Sequence, residues 1–214
     1  MKETLFIGKI TAAMTHEMKN VLAIIRESAG LAEDLLTMSD ESAFPYKDKF
    51  QKIMGKIENQ VIRGAEIMAQ LNEFSHIPEV ERQSEDLNLV LNQAIFLSKK
   101  LSRSNAVDFF VEQTDTPITL DSNPLTTRML IYRTLEFLAP LVGKGSEIRL
   151  KAVGCIIGDE GFSITIIAPV SNSFLLEKIL AGPEWNALEN EFRNNGASIG
   201  SSAGKDSLIV HFSQ

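Results

Sequence analysis

A histidine, a carboxylate and an amide lie within five residues of one another near the start of the chain, at His16, Glu17 and Asn20. A helical apolar pattern runs through this stretch, and at roughly 100° per residue His16 falls about 120° from Ile10, off the apolar stripe. Asn20 lies one turn later, beside His16 on the same polar face. Imidazole keeps a free lone pair at pH 7, and a carboxylate that accepts its other proton raises its nucleophilicity. The pattern indicates either a nucleophilic histidine or an ordinary solvated one.

The composition argues against several classes of protein. The chain has 214 residues, of which 44% are hydrophobic and 23% charged, as in one or two globular domains. A net charge of -7 argues against nucleic-acid binding. The single cysteine, Cys155, forms no internal disulfide, which fits a reducing cytoplasm. No apolar run approaches the ~20 residues of a membrane span, the start is unlike a signal peptide, and no spacing suggests a metal site. We therefore expect a cytoplasmic protein without a membrane partner.

Two long helices are predicted to position the histidine. Residues 2–38 read as one amphipathic helix, residues 39–45 as a loop ending in proline, and residues 46–75 as a second helix. The predicted apolar stripes are Ile7, Ile10, Met14, Val21, Ile25, Ala32 and Leu36 on the first helix, and Phe50, Ile53, Met54, Ile57, Val61, Ala65, Met68 and Leu71 on the second. Such an antiparallel hairpin leaves much of its apolar face uncovered. A second copy would cover it in a dimeric four-helix bundle with twofold symmetry; the alternative is that the rest of the chain covers it.

The rest of the chain predicts an α/β sandwich. Residues 77–86 are polar, break the helical period and are taken as a linker. Beyond them, helical and alternating patterns follow one another, and one of the helices is expected to end or kink at Pro140. The predicted helices are 87–102, 125–142, 172–180 and 184–193, and the predicted strands are 108–113, 117–121, 147–153, 162–167, 197–201 and 208–212. The fold class is therefore α+β, with a helical hairpin domain at 1–78 and a sandwich domain at 79–214.

The segment from Gly8 to Ile25 resembles the H-box of two-component histidine kinases: an apolar lead, then His-Glu-x-x-Asn, then an apolar run. One departure is Val21, where many members of that family have proline. The resemblance implies that His16 carries a phosphoryl group on a ring nitrogen and that the hairpin forms a homodimer. It also matches Asn20 to a position where related proteins orient a water that dephosphorylates the receiver; the alternative is that Asn20 only forms a hydrogen bond within the bundle.

The second domain resembles the ATP-binding domain of the same kinases, most clearly in its final helix, glycine turn and hairpin at residues 192–212. Its nucleotide-binding boxes depart from the family. Phe137 aligns with the asparagine that coordinates metal, and it has no oxygen to offer Mg²⁺. Residues 166–173 hold neither the aspartate nor the glycines of an Asp-x-Gly-x-Gly box, and residues 182–188 lack the glycines of a phosphate loop. The domain is therefore predicted to be degenerate and not to bind ATP.

As a whole the chain resembles the histidine phosphotransferases of phosphorelays, of the ChpT type and the sporulation type, which share kinase architecture but lack the ATP site. This resemblance implies an enzyme that carries phosphoryl on His16 to or from the aspartate of a response-regulator receiver. It would need no cofactor of its own, because the receiver brings Mg²⁺. Lys19 or Arg26 could neutralise the phosphate, or could simply be solvated. The alternatives are a receiver phosphatase using Glu17 and Asn20, a non-catalytic dimeric adaptor that binds a receiver, and an active kinase.

Overall fold

The computed structural model describes residues 2–38, 46–114, 116–154, 162–169, 179–203 and 207–213. The chain divides into two compact units. One is Ile7–Ile77, which carries most of the two long helices, and the other joins Met1–Phe6 to Pro78–Gln214. The fold is α+β, a helical hairpin followed by a sheet packed with helices, as the sequence predicts.

The hairpin consists of α1 (Glu3–Thr37) and α2 (Lys47–His76). Both helices agree with the predicted spans to within two residues, whereas the predicted loop at 39–45 lies outside the described residues. Most of the predicted stripe of α1 is buried or half-buried, because its apolar residues recur at the spacing that keeps them on one face. Leu36 is the exception, since 53% of its surface is exposed.

The buried face of α2 is rotated from the predicted one. Gly64, Ile67 and Phe74 are buried, whereas Met54, Val61 and Met68 of the predicted stripe are about half exposed, and Ala65 is exposed as well. The reason is that apolar residues of α2 occupy a wider arc than a single neighbouring helix covers. The hairpin therefore buries one edge of this arc and leaves the other edge accessible to solvent.

In the described part of the chain, the second unit contains two sheets and four complete α-helices. After a short 3₁₀ helix at Ile77–Glu79, its elements are β1 (Gln83–Asp86), α3 (Leu87–Leu97), α4 (Lys99–Asn105), β2 (Asp108–Glu112), β3 (Thr119–Ser122), α5 (Pro124–Leu138), β4 (Glu147–Gly154), β5 (Phe162–Pro169), α6 (Pro183–Asn194), β6 (Ser198–Ala203) and β7 (Ser207–Ser213). A second 3₁₀ helix, Ala139–Leu141, follows α5.

Three predictions for this unit need correction. Gln83–Asp86, predicted as linker, is a strand, because its backbone pairs antiparallel with β3. The helix predicted at 87–102 is two helices that meet at Ser98. The helix predicted over 125–142, with an end or kink expected at Pro140, ends at Leu138, because Pro140 cannot continue an α-helix. Most of the helix predicted at 172–180 lies outside the described residues.

The larger sheet has the strand order β2-β4-β5-β7-β6. β2 runs parallel to β4, and every other neighbouring pair is antiparallel. The alternating pattern of β4 places Ile148, Leu150 and Ala152 on the face that is fully buried. These side chains join one apolar core with residues of α3, α5 and α6, including Leu91, Leu130, Leu135, Leu188 and Phe192.

Side-chain caps fix where two core helices begin. Asp86 ends β1 and accepts a hydrogen bond from the backbone N–H of Asn88 at 2.8 Å, which caps α3. Asn123 accepts from the backbone N–H of Thr126 at 2.8 Å, and Pro124 then occupies the first turn of α5. Such caps satisfy backbone donors that a helix start leaves unpaired.

A buried guanidinium ties three of these elements together. Arg128 on α5 is 4% exposed and donates to both carboxylate oxygens of Glu85 on β1, at 2.7 and 2.9 Å. Its Nε donates to the side-chain oxygen of Gln93 on α3, and Nη1 also donates to the carbonyl of Pro124 at 2.9 Å. A bidentate arginine–carboxylate pair fixes both the distance and the relative orientation of the two side chains. The small sheet is therefore anchored to the helices of the core.

Candidate functional site

The histidine singled out by the sequence lies on the solvent side of α1. His16 and Asn20 are both exposed, and their side chains meet one helical turn apart, with Nδ2 of Asn20 3.3 Å from Nδ1 of His16. The amide can turn through 180°, so that either Nδ2–H donates to a bare Nδ1 or Oδ1 accepts from Nδ1–H. Within the described part of the chain, no hydrogen bond involves Nε2 of His16. The imidazole is thus oriented through one nitrogen and open to solvent at the other.

The carboxylate of the motif lies against the second helix. Oε2 of Glu17 accepts a hydrogen bond from Nη2 of Arg63 on α2 at 2.7 Å, and the same contact is an ion pair. The Glu17 side chain is 19% exposed and that of Arg63 is 35% exposed. Hydrogen bonds therefore join His16 to Asn20 and Glu17 to Arg63, which makes α2 part of the site.

Arg63 was not identified from the sequence, although a signal for it exists. Its neighbour Gly64 stands in the middle of a long helix, where glycine costs about 1 kcal/mol relative to alanine. An interior helical glycine often marks close packing, and Gly64 is buried here. Close packing at residue 64 would have drawn attention to the charged residue beside it. Lys19 and Arg26, the two cations considered from the sequence, are both exposed on α1.

In the second unit, Phe137, the residue aligned above with a metal-coordinating asparagine, belongs to an aromatic pair. Phe137 on α5 packs against Trp185 on α6, with ring centroids 5.6 Å apart and the planes tilted by 53°. Trp185 is 4% exposed, and its indole N–H donates to Glu189 at 2.8 Å. Residues 170–178, which include half of the segment 166–173 aligned with the adenine-reading box, lie outside the described residues.

A charged cluster surrounds the same face of α5. Arg133 pairs with Glu191 of α6 at 3.0 Å and with Glu136 one turn along its own helix. Tyr132, beside Arg133, is buried and packs against the ring of Phe6 at 5.5 Å. Burial first, and the carboxylate of Glu136 second, raise the pKa of Tyr132 from its ordinary value of 10.0 to about 12, partly offset by Arg133. These groups pair with one another and brace α5 against its neighbours.

Among the described residues, no group of three or more histidine, cysteine, aspartate or glutamate side chains is arranged to hold a metal ion. None of the helices in the described ranges combines the length and the apolar character that crossing a membrane requires.

Comparison with known proteins yields a match of fold. No family model and no curated protein sequence matches the chain. A solved structure described as a bacterial phosphotransferase is similar over 99% of this chain and 97% of its own, with a TM-score of 0.50 and 12% identity. The Acinetobacter baumannii histidine kinase AdeS is similar over 92% and 96%, with a TM-score of 0.47 and 11% identity. Histidine kinase ThkA, in complex with response regulator protein TrrA, is similar over 98% of this chain and 62% of its own, with a TM-score of 0.48 and 14% identity.

The likeness to the phosphotransferase extends along nearly the whole of both chains. It confirms the predicted α+β fold, a helical hairpin followed by a sheet packed with helices. At this level of identity it carries no information about substrate, partner or catalytic residues. Those have to be argued from the residues of this chain.

Proposed function

We propose that this chain is a histidine phosphotransferase of a two-component phosphorelay, which carries phosphoryl on His16 to or from a receiver aspartate without binding ATP. The observation that carries the proposal is the geometry of the imidazole: it is exposed on a long helix, and Asn20 contacts only its Nδ1. Phosphoryl transfer depends mainly on positioning and charge stabilisation. An oriented imidazole with an open nitrogen is therefore the part that such a carrier has to supply.

The chemical step uses Nε2 of His16. With the amide oxygen of Asn20 accepting from Nδ1–H, the lone pair of Nε2 attacks the phosphorus of an aspartyl phosphate. The new N–P bond forms as the O–P bond to the aspartate breaks, and the aspartate leaves as a carboxylate. The Nδ1 proton stays on the ring, and the reverse reaction regenerates neutral imidazole. The receiver would supply Mg²⁺ for its own phosphorylated aspartate, so this chain needs no metal of its own.

The proposal that ATP is not used is supported by the residues of α5 and α6. Phe137 supplies a hydrocarbon ring where the kinases place a metal-coordinating amide, and that ring packs against buried Trp185. A phenyl ring offers no ligand to Mg²⁺, which prefers oxygen. The second unit then serves as a structural or docking domain.

The proposal of a homodimer is supported by the exposed edge of the apolar arc on α2. Met54, Val61 and Met68 are 45%, 54% and 54% exposed, and they recur every seven residues along one helix. Leu22 and Leu36 on α1 are exposed to a similar degree, at 58% and 53%. A seven-residue spacing of apolar side chains suits a helix–helix interface. A second copy of the chain would cover these side chains in a twofold-symmetric dimer.

A labelled transfer assay tests the function. The protein is incubated with labelled ATP alone, and separately with a panel of receiver domains that carry labelled phosphoryl, alongside His16→Ala. The proposal predicts label on the wild-type chain from a receiver only, and none on the variant. Label taken directly from ATP would identify a kinase. Dephosphorylation of a receiver by His16→Ala would identify a phosphatase, and binding without transfer would identify an adaptor.

A further inference from the structure

The contact between Glu17 and Arg63 brings a second helix into the site. Glu17 directly follows the proposed phosphoryl acceptor, and its carboxylate is mostly buried, with 19% of the side chain exposed. The guanidinium of Arg63 reaches it across the hairpin at 2.7 Å. A charge-assisted hydrogen bond of this length is among the stronger side-chain contacts. The position of the carboxylate is therefore set by α2 as well as by α1.

Gly64 allows the two helices to come close enough for this contact. A Cβ atom at Gly64 would lie 3.2 Å from Cγ1 of Val21 and 3.7 Å from the sulfur of Met18. The first of these distances is tighter than an ordinary carbon–carbon contact. The absence of a side chain at Gly64 therefore leaves room for α1. Gly64 is adjacent to Arg63 on α2, and Met18, which it faces, is adjacent to Glu17 on α1. Close packing and the ion pair occur at the same level of the hairpin.

We propose that Arg63 is a positioning residue of the phosphotransfer site, which acts by holding and neutralising Glu17; this inference rests on the proposed function. A phosphoryl group carries nearly two negative charges, and the negative charge of Glu17, one residue from His16, would repel it if the positive charge of Arg63 did not offset it. Guanidinium stays positively charged at any working pH. Paired with Arg63, Glu17 presents little net charge to the incoming anion, and its oxygen is drawn towards α2.

The test is a double-mutant cycle on the rate at which His16 is phosphorylated. The variants are Arg63→Gln, Arg63→Lys, Glu17→Gln and the double variant Glu17→Gln with Arg63→Gln. Lys56→Gln, which removes one exposed positive charge two turns away on α2, is the matched control. Each protein is checked for helix content by circular dichroism. Rates are measured with a phosphorylated receiver and, separately, with phosphoramidate, whose P–N bond breaks to release ammonia as the N–P bond to His16 forms.

We expect Arg63→Gln to slow phosphorylation roughly tenfold, because it removes a positive charge that offsets the carboxylate of Glu17, one residue from the phosphoryl acceptor. Arg63→Lys should retain most of the rate, and Lys56→Gln should match the wild type. The decisive result is in the background of Glu17→Gln, where the further change Arg63→Gln should have little effect.

Two results would overturn the inference: an unchanged rate in Arg63→Gln, or the same slowing by Arg63→Gln whether residue 17 is Glu or Gln. If Arg63→Gln does not fold, Arg63→Met, which also removes the positive charge, replaces it in both backgrounds. Phosphoramidate separates this inference from the proposed function. Should no receiver phosphorylate His16 while phosphoramidate gives the predicted cycle, the phosphotransferase proposal fails and the role of Arg63 stands.

Discussion

Arg128→Met probes the network that anchors the small sheet to the core of the second unit. The variant keeps a side chain of similar length but removes the two hydrogen bonds to Glu85 and those to Gln93 and the carbonyl of Pro124. It leaves the Glu85 carboxylate, which is 17% exposed, without its cation. Because a largely buried charge without a partner is poorly solvated, the variant should be markedly less stable.

The expected magnitude follows from the burial of the pair. Removing one partner of a buried ion pair costs about 3–5 kcal/mol. Glu85 keeps some contact with water, so we expect about 3 kcal/mol, at the low end of that range. With a urea dependence of roughly 1–3 kcal/mol per molar, this lowers the unfolding midpoint by about 1–3 M. Replacing both partners by apolar residues should recover much of the loss.

Tryptophan fluorescence reports this unfolding selectively. Trp185 is the only tryptophan in the sequence, and it is buried in the second unit against Phe137. Its emission in urea therefore follows that unit. Circular dichroism at 222 nm also follows the hairpin. The matched control is Arg82→Met, because Arg82 pairs with Asp121 at 3.3 Å with both side chains about two-thirds exposed.

Arg82→Met should cost less than about 1 kcal/mol, as exposed ion pairs do. If Arg128→Met shifts the fluorescence midpoint no further than Arg82→Met does, burial and hydrogen bonding do not make the Arg128 network important, and the reasoning is wrong. A shift seen by circular dichroism but not by fluorescence would contradict the assignment of the effect to the second unit.

Three further predictions concern other parts of the chain. The pKa of Tyr132, raised to about 12, makes the folded state keep a proton that the unfolded state loses near pH 10; the free energy of unfolding should therefore fall between pH 10 and pH 12, and Tyr132→Phe should reduce that fall in urea titrations. Asn123→Ala removes the cap on the N–H of Thr126 and should cost about 1 kcal/mol in the same fluorescence assay, with no loss disproving the role of the cap. Val61→Glu places a charge on the exposed apolar edge of α2 and should convert a dimer to monomer in sedimentation equilibrium, whereas a wild-type monomer would contradict the dimer proposal.

The long helices were predictable because a period of 3.6 residues repeated over thirty positions outweighs local exceptions. The same period does not determine which edge of a wide apolar arc is buried, and α2 shows this: Val61 is exposed while Gly64 is buried. The helices that pack against α2 determine which edge of its apolar arc is buried. The pattern within a single helix does not contain that information.

β1 was missed for a different reason. Its four residues, Gln83–Asp86, are all polar and show no alternation of apolar side chains. The strand exists because its backbone pairs with β3 and because Glu85 binds Arg128, more than forty residues away. Both interactions depend on the tertiary fold.

The candidate site was partly predictable. A helical spacing of four brings Asn20 to His16, so that their contact follows from the sequence and the period alone. The contact of Glu17 with Arg63 does not follow from the sequence, because Arg63 lies 46 residues away on another helix. Only the mid-helix glycine beside it indicated that the two helices pack closely.

The most direct test of the central claim is a two-receiver chase. One receiver carrying labelled phosphoryl is mixed with this protein, the phosphorylated protein is isolated and its label mapped, and a second, unlabelled receiver is then added. The account predicts that the label is found on His16 and then moves to the aspartate of the second receiver. Label that appears only as inorganic phosphate, or that reaches the second receiver when His16 is alanine, would contradict it.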